Sequence, residues 1–115
     1  MATLYHTILF FCLIDDLGWN DVSFHGGSDF PTPHLDALAL NGLELSNYYI
    51  QHICSPTRAS LMSGRYPIHD ALQESVIAPV APYGLPLDLT ILPEQLKKAG
   101  YHTHIIGFVL CITLR

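Results

Sequence analysis

Ile8–Gly18 reads ILFFCLIDDLG, and this stretch decides the fold class. The run Ile8–Ile14 is apolar throughout, with no polar residue alternating into it. Such a run suits a strand buried on both faces, as at the centre of a parallel sheet. Asp15 and Asp16 end it with two adjacent carboxylates. Open α/β sheets bind ligands beyond the carboxyl ends of their strands, so this pair is a candidate ligand site. The run is far shorter than the roughly 20 residues that span a bilayer. No Lys or Arg precedes it and no small residues close it, so it does not read as a complete signal peptide.

Working outward, Thr32 and Pro33 open a helix as N-cap and first helical residue, and Asn41-Gly42 closes it. Leu35, Leu38 and Ala39 form its apolar face. Leu43 and Leu45 alternate with Glu44 and Ser46, which predicts a short strand before Tyr48 and Tyr49. These tyrosines read as core and rim aromatics, and Trp19 as packing beneath the acidic loop. A second helix begins near Cys54, with Ser55 able to cap, Pro56 in the first turn and Gly64 at the end. Residues 76–88 are rich in proline and read as an extended connection. Thr90 caps a third helix bearing Leu92, Leu96 and Ala99, with Lys97 and Lys98 in the last turn and Gly100 after it. Residues 103–113 form another candidate central strand. Strands interleaved with helices make this an α/β chain, a parallel sheet flanked by helices.

Composition bounds the rest. The chain has 115 residues, 50% of them hydrophobic and 13% charged. An average soluble protein carries about 25% charged residues. A small domain needs polar surface, so residues 1–115 read as part of a larger body. The formal net charge is −5 with five Lys and Arg, which argues against a nucleic-acid partner. Three cysteines offer no disulfide framework, and Cys12 and Cys111 sit in apolar runs.

Cys54 carries the chemistry. A thiol at a helix start sits near the positive end of the helix dipole, which favours an anion there. Arg58, one turn on, can reach back to bind a tetrahedral oxyanion with its fork of donors. Thiol phosphatases need five residues between Cys and Arg, whereas here three intervene.

The blocks CSPTRASLMSGRYP, IDDLGWNDVSFHG, TPHLDALALNGLELSNYY and LPLDLTILPEQLKKAGYHTHIIG, in this order, resemble the type I, formylglycine-dependent sulfatases, most of all the arylsulfatase B branch. The likeness covers residues 8–107. It implies an alkaline-phosphatase-like sulfatase fold, of which this chain is the N-terminal portion. It implies that Cys54 is oxidised to formylglycine, whose hydrate attacks sulfur and then expels sulfate. Arg58 would hold that hydrate. Asp15, Asp16 and the modified Cys54 would be ligands of a calcium ion. A formylglycine-generating enzyme would read Pro56 and Arg58. The substrates would be sulfated carbohydrates such as glycosaminoglycans, and the compartment lysosomal or extracellular. The pattern departs after Gly107, where the family has Lys-Trp-His and this chain has Phe108-Val109-Leu110. The alternative expectation is a truncated, catalytically inactive sulfatase-like fragment or a pseudoenzyme. A phosphoesterase with an unmodified nucleophile is a second rival. Arg65 reads as structural, and His102 and His104 as a polar strand face.

Overall fold

The computed structural model describes residues 7–27, 29–78 and 80–107. Its regular elements are helices α1 (Pro33–Asn41), α2 (Cys54–Ser63) and α3 (Leu92–Lys98), with 3-10 turns at Trp19–Asp21, Ser23–His25 and Pro67–Asp70. The chain divides into two compact units, Met1–Asn47 and Tyr48–Arg115. No described helix is long and apolar enough to cross a membrane.

In the first unit the expected strand at residues 8–14 does not form, and Ile8 and Phe10 are 88% and 90% exposed. A strand exists only through hydrogen bonds to a neighbour, and among the described residues no ladder forms. The expected strand at Leu43–Leu45 is likewise absent. α1 does follow its local signals. Thr32 is the N-cap, Pro33 occupies the first turn, and Gly42 closes the helix with its N–H on the Ala39 carbonyl. The Thr32 hydroxyl caps no helix N–H. It accepts from the Ser23 N–H (2.9 Å) and donates to Asp36 Oδ1 (3.0 Å). Ser23 completes the knot: its Oγ accepts the Thr32 N–H (2.8 Å) and donates to Asp36 Oδ2 (2.7 Å). These hydrogen bonds bind the Ser23–His25 turn to the start of α1. Leu35 and Ala39 are half-buried, whereas Leu38 of the expected apolar face is exposed.

The second unit holds a small core. Ala59 of α2 packs with Leu72, Ile77 and Leu85, and Met62, Ala81, Leu89 and Ile91 flank them. Ile77 and Leu85 come from the proline-rich connection, which therefore lies against α2 rather than hanging in solvent. α2 ends at Gly64, whose φ of +68° suits glycine and whose N–H reaches the Ser60 carbonyl (2.8 Å). α3 starts one residue later than its expected cap, with Ile91 at that position in place of Thr90. Ile91 has no polar side chain, so Glu94 alone serves the turn, accepting the Ile91 N–H at 3.2 Å. The helix closes in a paired bond pattern, Gly100 N–H to Lys97 O and Tyr101 N–H to Leu96 O, with Gly100 at φ +91°. That is a Schellman motif. Residues 103–107 of the expected last strand form no regular element, and 108–113 lie outside the described residues.

Candidate active site

The candidate residues fall in both units, Asp15 and Asp16 in the first and Cys54 and Arg58 in the second. In the first, Asp15 and Asp16 lie exposed at a bend directly after the apolar run. Asp16 has φ +51°, in the left-handed region. Aspartate enters that region more readily than most residues, and such positions concentrate at functional sites. The bend leaves one ligand oxygen of each carboxylate within 4.8 Å of the other. Two carboxylate oxygens that close together could share a cation.

In the second unit, Cys54 is the first residue of α2 and Ile53 precedes it as N-cap. Ser55 therefore stands inside the first turn and does not cap the helix, which corrects the sequence expectation. Its hydroxyl is engaged elsewhere, accepting the Ile77 N–H at 2.9 Å. Pro56 lies in the first turn as expected and is fully buried with Ser55. Thr57 secures the segment before the cysteine, its hydroxyl bridging the carbonyls of Gln51 (3.1 Å) and Ile53 (2.8 Å). Cys54 and Arg58 are half-buried and four residues apart on α2. That spacing puts them on one face, and helical side chains lean toward the N-terminus, so Arg58 slopes toward the turn of Cys54. The helix start, its dipole and a guanidinium together favour an anion beside the Cys54 side chain.

Arg65 is structural, as expected. It pairs with Asp70 at 3.2 Å, and the Asp70 side chain is only 2% exposed. The tyrosines depart from expectation: Tyr48 and Tyr49 are 68% and 84% exposed. Trp19 stacks on the His25 ring, with centroids 3.9 Å apart and planes within 8°. His25 Nδ1 donates to the Trp19 carbonyl (2.6 Å), which can only accept, and Nε2 lies 3.5 Å from Glu44. Nothing in the spacing of these residues marks that cluster beforehand. His102 and His104 are exposed.

Residues 7–110 match the family described as Sulfatase. The chain belongs to the sulfatase family. Among curated sulfatases it is 50% identical to arylsulfatase J of Mus musculus over 99 residues, 86% of this chain and 16% of that protein. It is 42% identical to arylsulfatase A of Bos taurus over 94 residues, 81% of this chain and 18% of the relative. It is 39% identical to N-acetylgalactosamine-6-sulfatase of Homo sapiens over 103 residues, 83% and 20% respectively. The chain thus spans about a fifth or less of the sulfatases it resembles. Sulfatase membership implies an alkaline-phosphatase-like α/β fold, while the described residues show its helices only.

Proposed function

We propose that this chain carries the nucleophile end of a sulfuric ester hydrolase site, with Cys54 as the residue converted to formylglycine. The supporting observation is Cys54 at the first position of α2 with Arg58 one turn on, within the sulfatase match. An aldehyde hydrate supplies a hydroxyl nucleophile and a built-in route for releasing sulfate, which an unmodified side chain lacks. Arg58 holds the hydrated aldehyde and offsets charge beside it. The N-terminal dipole of α2 adds to that field. Asp15, Asp16 and the modified Cys54 are the proposed calcium ligands, and an ion held by them would supply Lewis-acid polarisation of the sulfate. The same proposal includes residues 1–115 being the N-terminal part of one catalytic domain, and a parallel sheet of that whole domain in which residues 8–14 and 103–113 take strand form once neighbouring strands pair with them.

The proposed substrates are sulfated carbohydrates such as glycosaminoglycans, and the proposed partner is a formylglycine-generating enzyme that reads Pro56 and Arg58. The proposed compartment is lysosomal or extracellular.

A chimera tests this reading. Residues 8–107, the span of the likeness, replace the matching segment of mouse arylsulfatase J, whose own chain resumes after Gly107, and the product is made with the modifying enzyme. Hydrolysis of a chromogenic aryl sulfate is expected, abolished by Cys54→Ala and reduced on the order of a hundredfold or more by Arg58→Ala. A folded chimera with its aldehyde in place and no turnover would sink the hydrolase reading.

A further inference from the structure

We infer that Ser55 is a positioning residue, whose hydroxyl latches the connection at Ile77 to the first turn of α2 and so fixes the backbone that presents Cys54. The role rests on the reading of Cys54 as the nucleophile precursor. Ser55 is 2% exposed, and its Oγ accepts the Ile77 N–H at 2.9 Å across 22 residues of sequence. A buried N–H has to be paired, and prolines at 79, 82 and 86 deprive this connection of the regular N–H spacing a ladder needs. The Ile77 side chain, 7% exposed, then packs against Ala59 one turn further along the same helix. The connection is thus held to α2 by a hydrogen bond at the first turn and by apolar contact at the second. Pro56, fully buried beside Ser55, removes the remaining freedom, since its ring fixes φ. Cys54 stands half-buried at the start of the helix, where helices fray. The latch and the buried proline hold the backbone of the two residues that follow it.

Two readouts that need neither aldehyde nor turnover separate this role from the hydrolase reading. The chain is made without the modifying enzyme, so that Cys54 keeps its thiol. In the unaltered chain, the Ile77 amide should exchange with solvent at least about tenfold more slowly than the amide of Val76. In Ser55→Ala that protection should vanish, and alkylation of the Cys54 thiol by iodoacetamide, located by peptide mass spectrometry, should change severalfold in rate. Ser55→Thr keeps the hydroxyl and should restore both values to within about twofold. Unprotected Ile77 in the unaltered chain overturns the latch, and this measurement stands even where Ser55→Ala does not fold. Loss of Ile77 protection in Ser55→Ala with an unchanged Cys54 alkylation rate reduces Ser55 to a structural residue and overturns the positioning role.

Discussion

Ala71 shows how far a single backbone angle can matter. It follows the Pro67–Asp70 turn at φ +55°, a left-handed conformation in which Cβ crowds the following carbonyl. Ala71→Gly should therefore raise stability by about 1 kcal/mol, read as a higher urea midpoint at constant slope. No change, or a loss, would contradict the assigned backbone. Arg65 and Asp70 give a second residue-scale expectation. Asp70 Oδ1 meets Arg65, while its Oδ2 is buried without a hydrogen-bond partner among the described residues. Arg65→Ala leaves that carboxylate unpaired and should cost about 2 kcal/mol. Because the cost is that of an orphaned charge, the double variant Arg65→Ala, Asp70→Ala should be less than additive. Equal, additive losses in a thermal-unfolding cycle would show that the pair is not coupled.

Among the elements, the helices were the legible part. Pro33, Gly42, Gly64 and Gly100 each act within one turn of themselves, so α1, α2 and α3 follow from local chemistry. The strands were not legible in the same way. ILFFCLI has the composition of a buried strand, but a strand is completed by its neighbours, and local sequence names no neighbour. The caps also fall elsewhere than local preference places them, two residues away in α2 and one in α3. Ser55 and Thr90 are good capping residues, yet Ile53 and Ile91 hold those positions, and the Ser55 hydroxyl answers a long-range demand from Ile77. In α3 the demand for a cap is met by Glu94 alone. Glu94→Ala should cost about 1 kcal/mol and speed amide exchange at Ile91. Unchanged exchange there would contradict the assigned role. Of the candidate site, Cys54 and Arg58 were readable because their spacing alone puts them on one helix face. The fixings around them, from Thr57 and Ser55, depend on carbonyls and amides that carry no sequence label.

At the scale of the whole molecule the apolar surface dominates. In the first unit Ile8, Leu9, Phe10 and Phe11 are exposed, and in the second Tyr48, Tyr49, Ile50 and Ile106. Isolated exposed apolar residues are ordinary, but runs of this kind drive association. The 115-residue chain in buffer should therefore self-associate with rising concentration, followed by size-exclusion chromatography with light scattering. A monomer at every concentration would contradict the exposure described for these runs.

The central claim concerns Cys54, and peptide mass spectrometry tests it most directly. The chain is produced in cells that hold the formylglycine-generating enzyme, and the peptide spanning Cys54 is isolated after labelling with a carbonyl-reactive hydrazide. An aldehyde at position 54 is the expected result, with Cys12 still a thiol and the label lost in Cys54→Ala. A thiol persisting at Cys54, with no hydrazide adduct in the presence of active modifying enzyme, would contradict the claim.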